Sequence, residues 1–308
     1  MPSSSSPILT ITGPTGVGKT ALSLEAAERL DAEIISADSR QVYREINIGT
    51  ATPSEEERRG VPHHFVNERS LDDPLSAGAF ADEANERIRR IRERGHEPLV
   101  VGGSTLYVLA LQQGLADIPD VEDAVRRRLE ERLEEEGREA LFDELKRVDP
   151  EAAEGMDATK TQRLTRALEV YHGTGRPISY YWENQPEPPF QYRTFVLNRD
   201  RQTLYDRIER RVNRMLERGL LDEVRRVREA GYDPDDCRAL RTIGYRAPLR
   251  HLRGAIDYDE MVRLVKRNSR RYAKKQLTWF RRFDEYTWLE PPFEAEQVLN
   301  PDGATPNE

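Results

Sequence analysis

The stretch Gly13-Pro14-Thr15-Gly16-Val17-Gly18-Lys19-Thr20 fits the pattern G-x-x-x-x-G-K-[ST] and lies between an apolar run at residues 7–12 and the helix-patterned TALSLEAAERL. Few features restrict a fold as much. Such a loop turns its backbone N–H groups toward an anion only if a strand delivers the chain to it and a helix carries the chain away, adding the positive end of its dipole. Lys19 is suited to neutralising phosphate oxygens, and the Thr20 hydroxyl to Mg²⁺. The loop predicts phosphate binding. It leaves open whether the chemistry is nucleotide hydrolysis, kinase transfer or transfer from a pyrophosphate ester.

The apolar pattern around the loop predicts an α/β fold, a P-loop-type parallel sheet flanked by helices. AEIIS (32–36) and PLVVGG (98–103) read as further buried strands, with an amphipathic helix over 79–94 closed by Gly95. From about Asp120 to Gly173 only helical stretches follow, NQPEPPFQY (184–192) breaks the chain, and RTFVLNR (193–199) returns as a strand. The helical block therefore reads as an insertion. Further helices are expected at 201–230, 242–252 and 258–282. The expected division is a catalytic core at 1–116 and 191–290, a helical insertion at 117–190 and a loose tail at 291–308, with MPSSSSP as a floppy start.

No apolar run approaches the roughly 20 residues that span a bilayer, so no membrane partner is expected. Cys237 is the single cysteine, which leaves no internal disulfide and fits a reducing, cytoplasmic compartment. The adjacent His63 and His64 would diverge on any regular element, which argues against a histidine-based metal site. The net charge of −8 argues against a polyanion partner. Its distribution argues the other way: Val262–Arg282 carries nine Lys and Arg and no acid, an element that can bind nucleic acid locally. The acidic remainder reads either as adaptation to high salt or as composition bias.

Asp38 follows a strand at the sheet's carboxyl edge, where open α/β folds bind ligands. It could hold Mg²⁺ through water in a hydrolase, act as general base in a transferase, or cap a helix. Gly102-Gly103-Ser104 ends another strand, as a ligand approach or a plain turn. Trp279 and Phe280 could stack on bases or anchor the core.

Taken in order, GPTGVGKT, DSRQVY…INIGTATP, GVPHH (60–64), VGGSTLY (101–107), QRLTRALEVYHGTG (162–175), RIERRVNRMLERGLLDEV (207–224), IGYR (243–246) and AKKQLTWFRR (273–282) resemble the tRNA dimethylallyltransferase family, over about residues 7–290. The resemblance implies transfer of a dimethylallyl group from dimethylallyl diphosphate to N6 of adenosine 37, beside the anticodon, releasing diphosphate. Residues Gly13, Pro14, Thr15, Gly16, Val17, Gly18, Lys19 and Thr20 would cradle the diphosphate, with Mg²⁺ at Thr20. Arg211 matches the family's further cation and Asp38 its general base. Ser104 falls where the family usually carries Thr, so a hydroxyl is retained for the acceptor base.

By the same resemblance, contacts to the tRNA anticodon arm fall on Asp38, Ser39, Arg40, Gln41, Ser104 and Arg126, and on Gln162, Arg163, Leu164, Thr165 and Arg166. They continue on Arg241, Thr242, Ile243, Gly244, Tyr245 and Arg246, and on Lys274, Lys275, Gln276, Leu277, Thr278, Trp279, Phe280 and Arg281. An adenine within a stacked loop must be turned out to reach such a site. The chain is expected to act as a monomer. A free adenine nucleotide as acceptor, small-molecule kinase chemistry and a non-catalytic RNA-binding role are the rival readings. The last two leave the basic helix or the intact Lys19, Thr20 and Asp38 without a purpose.

Overall fold

The computed structural model describes residues 6–234 and 237–300. It divides into two compact units, one of residues up to Gln112 together with those from Pro189, the other Gln113–Pro188. The insertion drawn from sequence at 117–190 is thus close to the second unit, which begins four residues earlier and ends two earlier.

The first unit opens with β1 (Ile8–Thr12), α1 (Lys19–Leu30), β2 (Ala32–Ser36), β3 (His63–His64), α2 (Ala77–Glu93), β4 (Glu97–Gly102) and α3 (Thr105–Gln113). The second unit holds α4 (Asp123–Glu135), α5 (Gly137–Val148), α6 (Pro150–Glu154), α7 (Thr161–Thr174) and α8 (Ile178–Glu183). The chain then returns to the first unit with β5 (Tyr192–Leu197), α9 (Arg201–Glu217), α10 (Leu220–Glu229), α11 (Ile243–Leu252), α12 (Tyr258–Phe280), β6 (Thr287–Leu289) and α13 (Glu296–Leu299).

The six strands form one sheet in the order β3-β2-β4-β1-β5-β6, and every pairing is parallel. Helices cover such a sheet, which is why β1 and β2 are almost wholly buried and read as continuous apolar runs rather than alternating ones. Ile11, Leu99, Phe195 and Leu197 from the strands pack with Leu22 and Leu24 of α1 and Leu204 and Ile208 of α9. The register sets Thr12 beside Gly102 and Ser36 beside Val101. The chain therefore leaves β1, β2 and β4 at one edge, delivering the glycine loop, Asp38 and Gly103 together.

The second unit has its own core, in which Leu129, Leu141, Leu145, Leu164 and Leu168 meet. Asp149 is buried there and bonds two backbone amides, Ala152 N–H at 3.0 Å and Ser179 N–H at 3.1 Å.

Two expectations change, and two strands were not expected. The helix expected at 201–230 is two, α9 and α10, broken where Gly219 adopts φ 90°. Strands β3 and β6, of two and three residues, are too short to carry a periodic signal. Nor is the chain loose from Pro291: Ala295 and Val298 are buried in the sheet core and Phe293 packs against it. The composition of that segment is polar, but two apolar residues suffice to seat its short helix. Residues 1–5 and 301–308 lie outside the described residues.

Candidate active site

The glycine loop takes the shape its sequence demands. Gly13, Gly16 and Gly18 have φ of 143°, 80° and 124°, values that side-chain-bearing residues rarely adopt. At Gly13 a Cβ would lie 2.7 Å from the Leu197 carbonyl, so the loop also hugs β5 too closely for any side chain. Gly18 caps α1 without a side-chain bond, which leaves the first amides of that helix for an anion. Lys19 Nζ folds back onto the carbonyls of Gly13 at 2.9 Å and Pro14 at 3.0 Å. Two arginines brace the loop from outside: Arg207 Nε donates to Gly16 O at 2.8 Å and Arg199 Nε to Val17 O at 2.7 Å. Gln276 of α12 holds it as well, its Oε1 accepting the Thr15 N–H at 3.0 Å.

Asp38 begins no helix. Its Oδ1 accepts the N–H groups of Arg40 at 2.9 Å and Gln41 at 3.4 Å, closing a side-chain turn at the end of β2. Both bonds fall on one oxygen, so the turn itself does not consume Oδ2.

The segment that follows, Ile46–Pro53, is organised from a distance. The buried carboxylate of Glu223 on α10 accepts three consecutive N–H groups, Asn47 at 2.8 Å, Ile48 at 2.7 Å and Gly49 at 2.9 Å, and the Tyr245 hydroxyl of α11. Gly49 and Gly244 interlock beneath this bond, since a Cβ on Gly244 would meet Gly49 O at 2.6 Å. Arg211 Nη2 then donates to Thr50 O at 3.1 Å, which fixes the guanidinium against the segment.

Lys19, Asp38 and Arg211 line one cavity of about 1440 Å³, with Thr20, Ser39, Gln41 and Thr50. Burial pushes the Lys19 ammonium down to about 8, Asp38 pulling it up and Arg211 adding to the fall. Burial lowers Arg211 too, against the pull of Asp38. Arg207, Arg210 and Arg214 of α9 and Arg218 at its C-cap extend the positive wall. The cavity therefore suits a multiply charged anion at the loop, with the Asp38 carboxylate on the same wall and Glu57 and Glu217 elsewhere in the lining.

Of the residues singled out in the sequence, Arg40, Arg241, Thr242, Ile243, Gly244 and Gln276 also line this cavity. Ser104 stands one residue beyond the Gly103 wall, its N–H bonded to Ala37 O at 3.1 Å. Lys274, Lys275, Thr278, Arg281 and Arg246 are exposed. Tyr245, Phe280 and Leu164 are fully buried, so their side chains cannot meet an RNA. Phe280 packs with Val196 and Tyr286 as a core anchor, and Trp279 lies partly buried on it. Leu277 packs on the sheet core. In the second unit, Gln162 and Arg163 are exposed on the first turn of α7, while the buried Glu169 aims Arg126 and Arg166, accepting from them at 2.7 Å and 2.8 Å. Glu223, Arg199 and Arg207 were not singled out in the sequence. Glu223 sits in a charged helix pattern like many others, and nothing local distinguishes it.

The family profile described as IPP transferase matches residues 41–283. The chain is 67% identical over 291 residues to a tRNA dimethylallyltransferase of Salinibacter ruber, covering 94% of this chain and 90% of that one. It is 43% identical to a tRNA dimethylallyltransferase of Geobacter metallireducens, with 95% of each covered. Among solved structures it resembles a tRNA isopentenylpyrophosphate transferase of Bacillus halodurans, with TM-score 0.68, 40% identity and coverage of 92% and 89%. A eukaryotic dimethylallyltransferase described as acting on tRNA superposes with TM-score 0.78 at 29% identity, covering 93% of this chain and 74% of that one.

Proposed function

This chain belongs to the IPP transferase family of tRNA dimethylallyltransferases, and on that premise we propose that it moves a dimethylallyl group from dimethylallyl diphosphate to N6 of adenosine 37 in tRNA. The observation that carries this reading is the convergence of Lys19, Arg211 and Asp38 on one cavity. A diphosphate leaving group needs the first two, and an amine acceptor needs the third.

The glycine loop amides and Lys19 take the diphosphate. As the bond between C1 and oxygen lengthens, negative charge grows on the leaving group, and Lys19 and Arg211 stabilise it. The N6 amine of adenine attacks C1 from the Asp38 side. One N–C bond forms, one C–O bond breaks, and the N6 proton passes to the Asp38 carboxylate. Because that amine is a poor nucleophile, holding it against C1 counts as much as removing its proton. Ser104 offers a hydroxyl near the acceptor base. The exposed cations of α12, with Arg246 and Arg241, take the RNA backbone.

The donor set suits a Mg²⁺ that arrives with the diphosphate. Thr20 offers an exposed hydroxyl, and no group of three His, Cys, Asp or Glu that could hold a metal occurs among the described residues. Mg²⁺ commonly keeps several waters and takes its remaining ligands from phosphate oxygens and one or two side chains. When bound it would add charge neutralisation to the departing diphosphate. No helix among the described residues is long and apolar enough to cross a membrane, and we read the enzyme as a cytoplasmic monomer.

The test is a paired transfer assay with labelled dimethylallyl diphosphate and Mg²⁺, offering a tRNA with adenosines at 36 to 38 in one arm and AMP, ADP and ATP in the other. Label in the tRNA, lost when adenosine 37 becomes G, is the expected result. Label in a free nucleotide would move the acceptor, and no label in either would overturn the transfer.

A further inference from the structure

Helix α12 has two faces with different work. Lys274, Lys275 and Arg271 are exposed on one. Val265, Ser269, Tyr272 and Gln276, spaced four, three and four residues apart, line the cavity with the other. Gln276 falls within the block that family resemblance gives to the acceptor. Its side chain is only 3% exposed, too little to meet an RNA.

Both ends of its amide are used. Oε1 accepts the Thr15 N–H at 3.0 Å, and Nε2 donates to Gly103 O at 2.6 Å. Only this orientation satisfies an N–H and a carbonyl at once. Gly103 is shaped to the contact, because a Cβ there would lie 2.6 Å from Nε2 and 3.4 Å from Lys19 Nζ. Gly102 in turn packs on the strand end that bears Asp38, since its Cβ would meet Ala37 O at 2.1 Å. Thr15 is the third residue of the phosphate loop. One buried amide thus joins the phosphate loop, the end of β4 and, through it, the approach to Asp38.

We propose that Gln276 is a positioning residue for the donor and not a contact for the acceptor. It fixes the phosphate loop through Thr15, while its helix carries the RNA backbone on the opposite face. The inference rests on dimethylallyl diphosphate being the donor.

Two variants test it. Gln276→Met keeps the length and removes both bonds, leaving a buried N–H and carbonyl unpaired. Gln276→Glu, once protonated, again offers one acceptor and one O–H donor. Steady-state kinetics would vary donor and tRNA separately, alongside binding of inorganic diphosphate with Mg²⁺ in the absence of RNA. We expect the Met variant to raise the donor KM about tenfold and to weaken diphosphate to match, with the tRNA KM within about twofold of wild type. The Glu variant should recover donor KM as pH is lowered, which a merely misfolded loop would not do. A raised tRNA KM with unchanged donor KM would overturn the proposal, as would no change in either. If the Met variant does not fold, the Glu pH profile decides: donor recovery supports the role, and its absence overturns it. If wild type transfers nothing from dimethylallyl diphosphate, the donor reading has failed. Diphosphate binding then still judges Gln276: equal affinity in wild type and variant overturns the role.

Discussion

The phosphate loop and the Ile46–Pro53 segment face the same cavity, yet they get their shapes in opposite ways. The first takes its turn from its own residues, with Arg199, Arg207 and Gln276 bracing it from outside. Three glycines in left-handed or related conformations dictate the turn, and α1 supplies the electrostatics. The second has no such internal rule. Its amides are gathered by Glu223, its floor is Tyr245, and Arg211 holds its far end. All three lie more than 150 residues along the chain. A loop that shapes itself can be read locally; one shaped from outside cannot.

Asp38 joins the two and gives the sharpest cut between them. Asp38→Asn keeps Oδ1, so the turn to Arg40 and Gln41 survives, while the base is lost. We expect kcat to fall about 10³-fold, with the KM for donor and for tRNA nearly unchanged. Retained kcat, measured by single-turnover transfer, would remove Asp38 from the proton path. Lys19→Ala strikes the self-shaped loop alone. It should cost about 10² in kcat/KM for the donor and leave RNA affinity as it was. A change in tRNA binding by filter retention, with donor use intact, would mean that the cation serves the acceptor.

Glu223→Ala strikes the imposed segment. Three buried amides and a tyrosine hydroxyl lose their acceptor together, so the folded state should lose about 2–4 kcal/mol in denaturant unfolding. Glu223→Gln, which keeps an oxygen and the volume, should lose less. If instead Glu223→Ala leaves stability untouched, the segment is self-shaped after all and the contrast fails.

The same contrast explains what was legible in the sequence. Glycine spacing and strand-like runs identified the loop, the parallel sheet and the helical insertion, because each is a local or periodic property. Gln276 could not be placed from sequence: there it is one polar residue in a basic run, and only the fold turns it inward onto Thr15. In sequence Phe280 fits stacking or packing equally, since an aromatic in an amphipathic helix suits either until the face is known. The ending from Pro291 misled because composition cannot reveal that Ala295 and Val298 find a seat on the core.

The smallest effect concerns pH and separates affinity from stability at one group. With Lys19 lowered to about 8 by burial, the free loop loses its ammonium as pH passes 8, while bound diphosphate would hold the proton on. Donor KM should therefore be flat below pH 7.5 and about tenfold higher at pH 9. Calorimetry in buffers of different ionisation enthalpy should find proton uptake on diphosphate binding between those values. Stability moves the other way. The unfolded chain keeps a proton on this lysine up to its ordinary value of 10.5, so between about 8 and 10.5 the unfolded state binds more protons than the folded one. Its contribution to stability therefore rises with pH through that window, and the penalty of the buried charge is fully present below it. A donor KM that stays flat to pH 9 would mean that the ammonium is not the group meeting the diphosphate. Lys19→Arg, which cannot lose its charge there, should abolish the rise and so assign it to this side chain.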